Sequence, residues 1–174
     1  MKIRGLDSEI DKLTNSIENR VSGDQFRTTL SLLSFEELKK VTKKSGWVFN
    51  WKNEFKSQNR EVFKLTIEDN PQIIQGIISL EEKEDHVFMH LLENSPVNKG
   101  HEKMYIGVAG NLVAFACKIS LERGHEGNVA FISKTQLIEH YVNTLGAFHF
   151  GGRLMILNPS AALNLVNKYF NYEG

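Results

Sequence analysis

Between a short apolar run, Val87 to Leu92, and a longer one ending near Arg123 lies Met104-Tyr105-Ile106-Gly107-Val108-Ala109-Gly110-Asn111-Leu112. A strand-length run, a turn of small residues and then a helix-length run constrain the chain more tightly here than anywhere else. Gly107, Ala109 and Gly110 let backbone N–H groups face outward where a helix begins. The first helical turn leaves those groups without intrahelical partners and the helix dipole adds positive potential, so such a place holds a phosphate or pyrophosphate without a basic side chain. Neither a Walker loop nor a dinucleotide fingerprint is present: no Gly-Lys-Ser/Thr ending follows, and Gly107 and Gly110 do not supply Gly-x-Gly-x-x-Gly.

The 174 residues suit one compact domain, and Lys plus Arg equal Asp plus Glu at 21 each. Zero net charge gives no broad field toward nucleic acid or an anionic membrane. The one dense basic run, Lys39-Lys40-Val41-Thr42-Lys43-Lys44, reads as a solvated last helical turn rather than a binding patch. Cys117, the single cysteine, excludes an intrachain disulfide and a multi-cysteine zinc site; it sits in the apolar run Leu112 to Cys117 and reads as a packed helix residue. Six histidines show no close metal-ligand spacing, so no metal is expected. Met1 to Asp7 does not resemble a signal peptide and no apolar run approaches the ~20 residues of a membrane span. A soluble, cytoplasmic protein is the expectation.

The order of elements follows from periodicity. Ser16 to Arg20 and Gln25 to Leu30 flank a turn-like Val21 to Asp24 and suggest a hairpin. Ser34 and Glu37 have capping-box spacing and predict a helix through about Lys44. Glu61 to Ile67, Gln72 to Leu80 and His86 to Leu92 form a meander. After it the pattern predicts a helix from about Val108 to Glu122, a strand at Asn128 to Ile132, a helix at Thr135 to Thr144, strands at Ala147 to Phe150 and Arg153 to Leu157, and a last helix ending near Tyr169 with Leu163, Leu165, Val166 and Phe170 buried. Antiparallel strands followed by strand, helix, strand, helix make an α/β or α+β domain with a mixed, mostly antiparallel sheet flanked by helices.

Two segments carry a resemblance. Met104-Tyr105-Ile106-Gly107-Val108-Ala109 is similar to the Gln/Arg-x-x-Gly-x-Gly/Ala signature of the GCN5-related N-acetyltransferase (GNAT) superfamily, departing at Met104. Tyr141-Val142-Asn143-Thr144-Leu145-Gly146-Ala147-Phe148 resembles its Tyr-x-x-x-Gly-Phe segment with one residue inserted, and Ser133-Lys134-Thr135 stands where the family often has Asn. The likeness implies one GNAT-like domain over residues 1–174, with 1–60 as the variable part and 61–157 as the best-matching core. It implies acetyl-CoA as co-substrate in a wedge between two splayed strands, bound by Leu92, Gly107, Val108, Ala109, Gly110, Asn111, Leu112 and Tyr141. A small-molecule or protein amine would be the acceptor, and a homodimer is compatible with the family.

Acyl transfer to an amine needs a neutral nucleophile, a stabilised oxyanion and a proton for the departing thiolate. Tyr141 is the candidate acid, since a phenol of pKa about 10 is protonated at neutral pH, and Glu93 at the end of its strand is the candidate base, directly or through water. His90 is the second choice, and N–H groups near Leu92 and Glu93 would meet the oxyanion. His140, adjacent to Tyr141 on a helix, is expected to point elsewhere. Trp47, Phe49, Trp51 and Phe55 read as core more than as acceptor pocket. Asn94 to His101 either covers the acceptor or is a surface turn. The competing reading is a non-catalytic CoA-binding or protein-interaction domain of the same fold, supported by Met104 and Lys134.

Overall fold

The computed structural model describes residues 5–14 and 16–170. Met1 to Arg4, most of the stretch weighed as a leader, lie outside the described residues. Two sheets are present among the described residues. Strands β1 (Ile17–Asn19), β2 (Gln25–Phe26) and β7 (Tyr105–Ile106) form a small one in the order β2-β1-β7. The main sheet contains β3 (Thr28–Leu32), β4 (Glu61–Ile67), β5 (Asn70–Glu82), β6 (Val87–Asn94), β8 (Val129–Ile132), β9 (Phe148–Gly151) and β10 (Leu154–Leu157), ordered β3-β4-β5-β6-β8-β10-β9. Every neighbouring pair in it is antiparallel except β6 with β8. The expected mixed, mostly antiparallel sheet stands.

Helix α3 (Val108–Glu122) has the bounds its sequence predicts, because a Pro-free run that is apolar from Leu112 to Cys117 is stable only when buried. With α4 (Ile138–Leu145) and α5 (Pro159–Phe170) it covers one face of the sheet over a core that includes Leu65, Ile78, Met89, Leu92, Leu112, Phe131 and Met155. Cys117 is fully buried there, and desolvation pushes its thiol up to about 12, consistent with an unreactive packing role. A second core on the other face gathers Leu33, Leu38, Val41, Trp47, Phe49, Trp51, Val62, Ile77 and Leu91 beneath the short helices α1 (Phe35–Leu38) and α2 (Trp51–Lys56). The aromatic cluster is therefore chiefly core, as its density suggested.

Two expectations are corrected. The helix from Ser34 closes its capping box with Glu37 but ends at Leu38, and a separate 3-10 turn spans Lys43–Ser45. Extending the helix would stack Lys39 over Lys43 and Lys40 over Lys44, like charges at i and i+4; ending it lets Val41 and Trp47 turn inward to 6% exposure each. On α5, Leu163 is exposed, whereas Ala161, Ala162, Leu165 and Tyr169 are buried. Gly110 explains that choice of face: a Cβ there would collide with the Tyr169 phenol oxygen, so the glycine makes room for Tyr169 against α3.

Candidate functional site

Strand β6 changes character part-way along. Val87, Phe88 and Met89 pair in parallel with Val129, Ala130 and Phe131 of β8, and the pairing stops there. On the other side Leu80 faces Met89 while the adjacent Ser79 faces Leu91, so His90 is an extra residue in the ladder, a β-bulge. A bulge bends its strand and switches which residues face each side. Val87 and Met89 belong to the main core, and after the bulge so does Leu92, while Leu91 enters the second core. Beyond Met89 the two strands diverge, leaving a cleft between the ends of β6 and β8. His90 itself pairs with Glu81 (2.8 Å) and lies against the Phe88 ring in a tilted contact, and it does not line the cavity at the cleft mouth. Burial holds its imidazole below the usual value.

Gly107 opens α3 with a left-handed φ of 87°, a conformation glycine tolerates without Cβ strain. A Cβ at Gly107 would also run into Thr14. Its N–H donates to the Asp11 carboxylate at 3.2 and 3.4 Å. The anion expected at this helix start is thus represented by a carboxylate of the same chain. Val108 and Leu112 turn their side chains into the sheet, where both would meet a Cβ at Gly76, and Ala109 is buried. Val108 and Ala109 would serve a ligand only through their backbone N–H groups, whereas the Asn111 N–H is taken by the Gly107 carbonyl and the Leu112 N–H lies within the helix. Asn111 is fully buried, its amide nitrogen donating to Thr28 Oγ1 at 3.2 Å while Oδ1 has no hydrogen-bond partner.

Residues 5–14 run through the cleft. Leu6 donates to the Ile132 carbonyl (2.6 Å) and accepts from Lys134 N–H (3.0 Å), as an added parallel strand on the β8 edge would. Ser8 Oγ donates to the Leu92 carbonyl at 3.4 Å. Tyr141 lies at the base, fully buried and edge-to-face with Phe131, and its hydroxyl donates to the Ser8 carbonyl at 2.6 Å. Desolvation first, then Asp7 and Glu9, raise its pKa well above the ordinary phenol value, so it is a proton donor throughout the physiological range. His140 does not point elsewhere: its Nε2 accepts from Ile10 N–H at 2.8 Å. Adjacent helix residues reach the same segment because that segment is extended and offers polar groups two residues apart.

Glu93 is 2% exposed. Its carboxylate accepts from Val48 N–H (2.7 Å), Phe49 N–H (3.2 Å), Trp51 Nε1 (2.8 Å) and Lys99 Nζ (2.5 Å). These bonds tie the end of β6 to the connection before α2 and to the long loop before β7. Asn98 pins that loop, its amide nitrogen donating to the Gln75 carbonyl, Gln75 Oε1 and Ser95 Oγ, and its oxygen accepting from Tyr105 N–H. A cavity of about 330 Å³ opens between these parts, lined among others by Asp7, Glu9, Glu93, Asn94 and Lys99. The loop before β7 is thus a wall of the cavity. Sequence reasoning missed the bulge and residues 5–14; the broken alternation of Val87 to Leu92 was a signal for the first, and no local pattern announces the second.

Solved structures share this fold. The ribosomal-protein-S18-alanine N-acetyltransferase from Escherichia coli superposes with a TM-score of 0.51 at 15% identity over 75% of this chain and 92% of that one. A chimera of the spermidine N-acetyltransferase SpeG from Vibrio cholerae and hSSAT gives 0.54 at 14% identity, over 79% and 99%. The fold is that of the GCN5-related N-acetyltransferases. At these identities the likeness to GNAT structures is one of fold. No family profile and no curated protein sequence matches this chain. Among the described residues, no group of side chains forms a metal site and no helix is long and apolar enough to cross a membrane.

Proposed function

We propose that this protein is an acetyl-CoA-dependent N-acetyltransferase acting on a primary amine. The observation that carries the reading is the divergence of β6 from β8 at the His90 bulge, with the Gly107 N–H and the Tyr141 hydroxyl both directed at whatever lies in the gap. An anion at the start of α3 and an acyl group at Tyr141 would suit a CoA thioester, with its pyrophosphate held by backbone amides of residues 107–110, since the Asn111 N–H is already taken by the Gly107 carbonyl, and its carbonyl beside the Leu92 end of β6.

In this reading Tyr141 gives its proton to the departing thiolate, which suits a phenol kept neutral by burial. Glu93 takes the proton of the acceptor amine, directly or through water. Lys99 already sets an ammonium against Oε2, and a substrate amine would take that place. The two neighbours named above are N-acetyltransferases, which agrees with this chemistry.

A second reading, a CoA-binding or protein-interaction domain without transfer, draws on Asp11 and Ser8, which engage the same two groups. Thiol release from acetyl-CoA over a panel of primary amines separates the two. Amine-dependent release that falls about a hundredfold or more in Tyr141→Phe is expected; CoA binding without release by any amine would favour the second reading.

A further inference from the structure

The segment from Leu6 to Asp11 meets two groups that the proposed cofactor would use, the Gly107 N–H and the Tyr141 hydroxyl, with an acidic group at the first and a carbonyl at the second as that cofactor would present. CoA joins a pyrophosphate to a thioester through an arm containing two amides. Asp11 offers a carboxylate to the Gly107 N–H at one end, and the Ser8 carbonyl takes the Tyr141 hydroxyl further along. Leu6 lies along the β8 edge with a backbone donor and acceptor both satisfied. Between them Ile10 N–H is held by His140. The remainder of the segment closes over the glycine turn: Thr14 packs on Gly107, Leu13 on Gly110, and Thr14 N–H donates to Tyr169 Oη at 3.2 Å.

Burial agrees with docking rather than loose apposition. Leu6 and Ile10 are exposed by only 3% and 5% and belong to the main core, while Asp7 and Glu9 alternate with them toward the cavity and solvent. Asp11 is also paired with Lys103 at 3.3 Å and Asp7 with Lys134 at 3.1 Å, so an ion pair marks the segment near each end.

We propose that residues 5–14 are an autoinhibitory strap that occupies the acyl-CoA cleft in place of the cofactor, so that strap docking and acyl-CoA binding exclude one another. The proposal rests on the acyl-CoA reading given above. Steric exclusion is required, because the Tyr141 hydroxyl has one proton and the cleft beside β8 has one free edge. The cost of displacing the strap lowers the apparent affinity for CoA by the fraction of molecules in which it is docked.

The test is CoA binding by calorimetry to three forms of the full chain. Asp11→Ala removes the carboxylate from the Gly107 N–H, and about tenfold tighter CoA binding than wild type is expected, the weight of one hydrogen bond to a charged group. Leu6→Cys with Ser133→Cys places two thiols at paired positions; oxidised, this form is expected to lose CoA binding and to regain it on reduction. Cys117 is buried within α3 and does not compete. Wild type adds a readout that needs no variant: on CoA addition, hydrogen exchange at the Leu6, Ile10 and Thr14 amides should accelerate. Equal CoA affinity in the oxidised, reduced, Asp11→Ala and wild-type forms would overturn the strap and leave the acyl-CoA reading standing. Absence of CoA binding in all of them, Asp11→Ala included, would overturn both.

Discussion

The two halves of β6 are a single strand with opposite duties. From Val87 to Met89 it is a core strand, hydrogen-bonded on both edges, with Val87 and Met89 fully enclosed. From Leu91 to Asn94 it keeps only the β5 partner, gives the Leu92 carbonyl to Ser8, and sends the Glu93 carboxylate into a buried nest of four donors. One inserted residue, His90, separates them. Packing energy stabilises the first half, and polar satisfaction organises the second, where an edge left unpaired by β8 is available to something else.

That contrast can be broken at either half. Glu93→Ala should be the most costly change, about 3–5 kcal/mol, because it strands a buried indole N–H, two backbone N–H groups and an ammonium; the denaturation midpoint measures it, and Glu93→Gln should recover part of the loss. Met89→Ala should cost roughly 2–5 kcal/mol through a cavity in the main core, yet leave hydrogen-exchange protection of the Leu6 and Ile10 amides unchanged relative to global stability. If it released those amides selectively, the halves would not be independent. Tyr141→Phe should destabilise by only about 0.5–1.5 kcal/mol, one hydrogen bond, while greatly reducing transfer; a loss of stability several times larger would make Tyr141 chiefly a structural anchor for the strap.

The smallest expected effect is a pH dependence at the bulge. Burial holds His90 below its ordinary 6.5, so the folded protein binds its proton less readily than the unfolded chain. The sign follows: stability from this group is intact above pH 6.5 and declines as pH falls from there toward the depressed folded value. Glu81, whose carboxylate is lowered first by its hydrogen bond to His90, works in the same direction at more acid pH, losing its contribution as pH falls through its folded value. Arg60 and Glu54 also act on His90. Replacing His90 with Gln should flatten the thermal midpoint between pH 7 and 5, at conditions chosen around its ordinary pKa of about 6.5; an unchanged slope would assign that limb to other groups.

Local patterning is what made the larger part of the fold legible. The run from Val108 to Glu122 could be only a buried helix, the meander followed from strand-length apolar clusters between turn residues, and Gly107 was identifiable because few other residues suit the left-handed start of a helix. Where the reading went astray, tertiary packing overrode local preference: the capping box of Ser34 and Glu37 formed as expected, yet burial of Val41 and Trp47 ended the helix early. Leu163 was misassigned because Gly110 selects the face of α5 that carries Tyr169.

The sequence by itself determined the order of the elements, the glycine turn at Gly107 that opens α3, and the placement of Tyr141 on the helix after β8, since each depends on residues close together along the chain. Only the tertiary structure decided what those groups touch. Tyr141 meets Ser8 across 133 residues, Gly107 meets Asp11 across 96, and Glu93 meets Val48 across 45. Such contacts arise from the bend at His90 and the edge it uncovers on β8, and a backbone edge accepts almost any extended segment, so no pattern in residues 5–14 had to announce the pairing.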